Sequence, residues 1–206
     1  MKRMGDTLTN IWVIRHGETL WNSQGRFQGR EDIELNDLGR LQALDCGTFL
    51  KKYSWDCIVS SNLIRAVETA EIIAKELSIS KIYKMEEFIE RDFGIASGMT
   101  YEEKAMRFPD GAIPGKEASL LLKKRVMVGM EKLNKSFQGK SVIVITHGGV
   151  INAIIDVITR GQSGTISTKL KNTCINIIEN DEGNWSIKTH NRTWDELEYE
   201  TSNYIS

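Results

Sequence analysis

The sequence predicts an α/β fold: a three-layer α/β/α sandwich with a mostly parallel central sheet and at least one antiparallel late strand. Two observations carry this. Short strand-like runs alternate with segments of helical period along most of the chain, the pattern of a parallel sheet covered on both faces. Near the end, two strand-like runs meet directly at "ENDEGN" (179–184), which reads as a hairpin turn.

The elements follow in order. "IWVI" (11–14) is the first strand, and it runs into Arg15, His16 and Gly17. Asn36 can cap a helix carrying Leu38, Leu41 and Leu44. "CIVS" (57–60) is the second strand. It leads into "SSNLIRA", with Ser61 as an N-cap and Arg65 in the first turns of the next helix. Leu63, Ala66, Val67, Ala70, Ile73, Ala74 and Leu77 recur at helical spacing and mark an amphipathic helix. "KIYKM" (81–85) is the third strand, followed by "EEFIERDFG". The only two prolines, Pro109 and Pro114, bracket the loop "PDGAIPG". Ala118, Leu122, Val126, Gly129, Met130 and Leu133 define another helix. "VIVIT" (142–146) is the fourth strand, and His147-Gly148-Gly149 opens a short buried helix over 150–158. "CINII" (174–178) and "WSIKT" (185–189) form the hairpin.

Size and composition bound the function. A chain of 206 residues fits one domain, 1–206, with a lid-like segment at about 97–117. Basic and acidic residues number 27 and 28, for a net charge of −1, so neither nucleic acid nor an anionic membrane is expected as a partner. "MKRMGDTLTN" lacks the apolar core of a signal peptide, and no apolar run is long enough to span a bilayer. The three cysteines, Cys46, Cys57 and Cys174, lie in apolar stretches and read as reduced core thiols of a cytoplasmic protein. None has an arginine six positions later, so a cysteine-phosphatase loop is excluded. "QGKS" (138–141) is not a P-loop: position 134 is Asn, and the segment precedes a strand instead of following one. There is no histidine pair at i,i+4 and no Cys/His cluster, so neither a metal nor another cofactor is expected. Nothing selects between monomer and homodimer.

In open α/β sheets ligands bind beyond the carboxyl ends of the strands. The first strand delivers Arg15 and His16 to that rim, the second Arg65, the third Glu90 and Arg91, and the fourth His147. Gly17 lets the backbone turn and approach a ligand. Guanidinium forks suit phosphate oxygens. Helix N-termini near Ser61 and Gly148 add N–H groups and positive dipole ends. Several positive groups with no evident counter-ion imply a doubly charged phosphoryl group. His190 follows a late strand without a glycine and reads as structural. Glu86 and Glu87 read as a solvated face, and Glu90 by itself could belong to it.

"RHGETLWN", "GRFQG", "SSNLIRAVETA", "ERDFG" and "THGG" occur in the order found in the histidine phosphatase superfamily, the phosphoglycerate mutase-like group, and the chain resembles that family from about residue 10 to about residue 190. The resemblance implies that His16 is the nucleophile that becomes phosphohistidine. It implies a phosphate pocket of Arg15, Arg65 and His147, with Glu90 as proton donor. It places Asn22 and Gln28 on the phosphate and substrate side, and gives the N–H of Gly148 as a further donor. The expected activity is metal-independent hydrolysis of a small phosphorylated metabolite. A cofactor-dependent phosphoglycerate mutase is the alternative. Mutases of this kind carry a longer, more basic insertion after the Glu motif, whereas Lys104, Arg107 and Lys116 are the only basic side chains in 97–117. A non-catalytic binding protein is a further alternative, but both histidines, both arginines and the glutamate are kept. Two positions depart from the family pattern: Ala96-Ser97-Gly98 replaces Trp-Glu-Gly, and Arg30 stands where an aromatic is common. Both border the substrate entrance and leave the substrate open. Met99, Tyr101, Met106 and Phe108 read equally as substrate contacts or as core under the lid.

Overall fold

The computed structural model describes residues 8–161 and 169–203. Six strands form one sheet in the order β3-β2-β4-β1-β5-β6, with β1 at Thr9–Arg15, β2 at Cys57–Ser60, β3 at Ile82–Lys84, β4 at Ser141–Thr146, β5 at Ile175–Asp181 and β6 at Asn184–Arg192. β1 pairs parallel with β4, β4 with β2, and β2 with β3. β5 pairs antiparallel with both β1 and β6. The hairpin is a two-residue turn with Glu182 at φ 50° and Gly183 at φ 89°, the positive-φ pair that matches strand twist.

Alternation along the strands builds two cores. Ile11, Val13, Val142 and Val144 face Leu122, Val126, Met130 and Leu133 of the helix Ser119–Ser136 (α5, counting in chain order) and Val150, Ile151 and Ile154 of Gly148–Ile158 (α6). Trp12, Ile14, Ile143 and Ile145 face the other way. They pack on Cys46, Phe49 and Leu50 of Asp37–Leu50 (α2), on Ala66, Ala70 and Ile73 of Ile64–Glu76 (α3), and on Leu197 of Trp194–Asn203 (α7). The expected three layers are present. Two short helices, Leu20–Ser23 (α1) and Tyr101–Arg107 (α4), complete the set.

The structure adds to three local expectations. Asn36 caps α2, its side chain accepting from the Gly39 N–H at 2.8 Å, but Leu38, Leu41 and Leu44 lie on the outer face, with Leu41 57% exposed. The buried face of α2 instead uses Gly39, Ala43, Cys46 and Gly47, because α2 packs close to α3. A Cβ on Gly47 would meet Glu76 at 3.1 Å. Ser61 is not the cap of α3. That place belongs to Leu63, which makes no side-chain cap bond. Gly17 is demanded by packing: a Cβ there would lie 2.4 Å from the carbonyl oxygen of Gly39.

Candidate functional site

The carboxyl ends of β1, β2 and β4 open onto a cavity of about 840 Å³. Arg15, His16, Asn22, Gln28, Arg65, Glu90 and Gly148 all line it. His147 does not, but its ring centroid is 5.2 Å from that of His16. The structure therefore brings together every residue expected at the rim.

His16 follows β1 directly and is buried. Its Nδ1 lies 2.7 Å from the carbonyl oxygen of Gly17. A carbonyl only accepts, so Nδ1 carries the hydrogen and Nε2 keeps its lone pair. Asn172 donates to the His16 carbonyl at 3.0 Å and to Asn22 Oδ1 at 3.3 Å, which holds the turn. Burial, then the charges of Arg65 and Arg15, push the His16 ring well below the usual imidazole range, so it is neutral.

His147 caps α6 in extended backbone geometry. Its Nε2 is 2.7 Å from Ser61 Oγ, and Ser61 Oγ also accepts the Leu63 N–H at 3.4 Å. The Ser61 hydroxyl can therefore donate to Nε2, leaving Nδ1–H as the ring's donor. That Nδ1 is buried and has no partner among the described residues. Burial, Arg65, His16 and Arg15 keep this ring neutral as well.

The arginines are held from behind. Arg15 donates from one terminal nitrogen to the Leu170 carbonyl at 2.5 Å. Arg65 donates to the carbonyls of Glu31 and Gly29 at 2.7 and 2.8 Å. In each the Nε is buried and unpartnered among the described residues. Burial lowers both guanidinium groups, Arg65 to about 10, which leaves Arg65 charged at neutral pH. The α3 N-terminus is less available than expected, because the Asp32 carboxylate accepts the Ile64 N–H at 2.6 Å.

Glu90 is buried, unlike the exposed Glu86 and the Glu87 that pairs with Lys132. One carboxyl oxygen accepts the Arg91 N–H at 2.7 Å, and the other accepts the Gly149 N–H at 3.2 Å. Gly149 is required there, since a Cβ would stand 2.5 Å from Glu90 Oε1. Asn22 uses its Oδ1 to accept from the Thr19 N–H at 3.2 Å in a capping box. Gln28 is buried, and its Oε1 has no partner among the described residues.

Arg30, expected at the substrate entrance, is not among the residues lining the cavity and pairs with Glu117 at 3.6 Å. Of the apolar group at 99–108, Tyr101 lines the cavity and packs on Phe27 at 4.6 Å, while Met106 is 77% exposed and serves neither expected role. Sequence reasoning missed the role of Ser61 toward His147, and also Asn172, whose contact with His16 spans 156 positions and leaves no local signal. His190 sits on β6, away from the cavity lining. Burial pushes Cys46 up to about 12 and Cys57 and Cys174 to about 11, so none is a thiolate nucleophile at neutral pH. Among the described residues, no group of three or more His, Cys, Asp or Glu could hold a metal, and no helix is long and apolar enough to cross a membrane.

The two neutral histidines make stability depend on pH. Their folded-state values lie below the ordinary 6.5, so the unfolded chain binds these protons first. Their contribution is fully present above about pH 6.5 and is lost as pH falls through the lower folded-state values. The melting temperature is therefore expected to fall between pH 7 and pH 5, with a shallower slope in a His16→Asn/His147→Asn variant. Equal slopes in thermal melts would contradict the assignment.

A family model described as the histidine phosphatase superfamily (branch 1) matches residues 11–193. A Bacillus subtilis (strain 168) protein named uncharacterized phosphatase PhoE is 42% identical over 184 residues, covering 89% of this chain and 95% of that one. A metal-independent phosphoserine phosphatase of Arabidopsis thaliana is 35% identical over 193 residues, covering 87% and 80%. Among solved structures, Bacillus stearothermophilus YhfR superposes with a TM-score of 0.82 at 26% identity, covering 89% and 96%. A phosphoserine phosphatase mutant from Entamoeba histolytica, in complex with phosphoserine, superposes with a TM-score of 0.79 at 28% identity, covering 90% and 98%.

Proposed function

Since the chain belongs to the histidine phosphatase superfamily, we propose that it is a metal-independent phosphatase, hydrolysing small phosphate monoesters through a phosphohistidine on His16. One observation carries the roles within the site. Three buried N–H donors, on Nε of Arg15, Nε of Arg65 and Nδ1 of His147, have no partner among the described residues, and all three belong to side chains at or beside His16. Buried donors are costly to leave unpaired, and this set suits three phosphoryl oxygens.

In the proposed reaction, Nε2 of His16 attacks phosphorus in line. The N–P bond forms as the bond to the leaving oxygen breaks. The loose transition state leaves positioning and charge stabilisation to the protein, and the three donors supply both. Glu90 gives its proton to the leaving alkoxide. It then takes a proton from the water that attacks phosphorus, the N–P bond breaks, and inorganic phosphate is released.

The lid assignment for 97–117 and the single-domain organisation are part of this reading. The Gly98 N–H donates to the Phe27 carbonyl and the Phe27 N–H to the Met99 carbonyl, which supports a segment coupled to the cavity wall. The cytoplasm is the proposed compartment, supported by three buried free cysteines.

Two results follow. After dialysis against EDTA the protein should hydrolyse nitrophenyl phosphate at an undiminished rate, and loss of activity restored by Mg²⁺ or Zn²⁺ would overturn the metal-independent reading. Gly149→Ala should cut turnover of an alkyl phosphate about 10²-fold by displacing Glu90, with little change in melting temperature because the flexible carboxyl moves instead of backbone. Wild-type turnover in that variant would free Glu90 of any role.

A further inference from the structure

The proposed chemistry uses one end of the cavity. The rest of it runs along α6, where Gly149, Asn152, Ala153 and Asp156 all line the wall. These positions are three, four and seven residues on from Gly149, which places them on one helix face. The stripe begins at the Gly149 N–H that meets Glu90 and ends two turns later at Asp156. Seven residues at about 1.5 Å each separate its ends by ~10 Å along the axis.

Asp156 is only 4% exposed. Its Oδ2 pairs with Lys123 of α5. Its Oδ1 is buried and accepts no hydrogen bond among the described residues. A buried carboxylate oxygen without a donor is expensive, and this one belongs to a residue on the cavity wall. The Lys123 ion pair already cancels the charge of Asp156. Arg91, Lys169 and Lys171 line the same cavity, so a further cation is disfavoured there. A neutral hydroxyl is the donor that fits.

We propose that Asp156 is a specificity residue: its free oxygen takes a hydroxyl of an extended polyhydroxyl leaving group, a sugar or glycosyl body whose phosphate lies beside His16, beyond the Gly149 end of the stripe. This rests on the phosphatase reading above and narrows its substrate to elongated sugar phosphates.

The test compares phosphates of primary alcohols that differ in reach. For the wild-type protein, kcat/KM for a disaccharide 6-phosphate such as trehalose 6-phosphate should exceed that for glycerol 1-phosphate by about tenfold or more. Asp156→Ala should lower the ratio of the two values by about 10- to 100-fold, the range of a hydrogen bond to a charged group. Taking the ratio cancels any loss of folded protein. Asp156→Leu, close in shape and without any acceptor, covers the case in which alanine prevents folding. No preference for reach in the wild type, an unchanged ratio in the variants, or a preference for an aminoalkyl phosphate of equal length would each overturn the proposal. Failure of the wild type to hydrolyse even nitrophenyl phosphate would overturn the phosphatase reading instead, and this inference with it.

Discussion

His16→Ala is expected to reduce turnover of nitrophenyl phosphate by at least ~10⁴-fold, because a nucleophile acting as one unit with its partners cannot be replaced by the rest of the site. The geometry gives the reason. Gly17 fixes the proton on Nδ1, so Nε2 is the reactive nitrogen. Burial and two arginines keep that nitrogen unprotonated well below pH 6.5. The variant keeps Arg15, Arg65 and His147, so it should still bind inorganic phosphate while failing to transfer it. A rapid alkaline quench of the wild-type protein should trap phosphate on the peptide containing His16, since phosphoramidates survive alkali and break down in acid. Phosphate found on the His147 peptide would exchange the two assignments. Turnover retained in His16→Ala would remove the covalent mechanism altogether.

Glu90→Gln is expected to slow phosphoryl transfer from alkyl phosphates by ~10²–10⁴-fold, the usual range of general acid catalysis, with a much smaller loss from nitrophenyl phosphate. A nitrophenolate leaves without a proton, and an alkoxide does not. Glutamine keeps the size of the side chain, and its oxygen can still accept one of the Arg91 and Gly149 N–H groups, while its NH2 cannot accept the other. That lost hydrogen bond burdens both substrates alike, so the difference between them reports the transferable proton. Single-turnover rates are needed, because Glu90 is also assigned the proton from the second-step water, and slow dephosphorylation would hide the difference at steady state. Equal losses on both substrates would make Glu90 a positioning residue and would require another acid, with Glu18 as the nearest candidate in sequence to His16.

The sequence by itself determined the layered fold, the antiparallel late strand and the set of side chains at the rim. These are legible because period, turn chemistry and strand ends are written in contiguous residues: "IWVI" ends at Arg15 and His16, and "VIVIT" ends at His147. The buried face of α2 is not legible in this way. Leucine spacing marks a helix, but close approach to α3 selects the small residues Gly39, Ala43 and Gly47 for burial. Tertiary structure decided the roles that depend on distant partners. Ser61 reads as a cap in one dimension, yet it orients His147 across 86 positions. Gly17 reads as a ligand-facing turn, yet it makes room for the backbone of Gly39. Glu90 by itself could belong to a solvated face with Glu86 and Glu87, and only the glycine at 149 lets its carboxyl reach the start of α6. Periodicity records which face of an element is apolar, but hydrogen-bond partners and steric limits belong to pairs of elements, and those pairs exist only once the chain has packed.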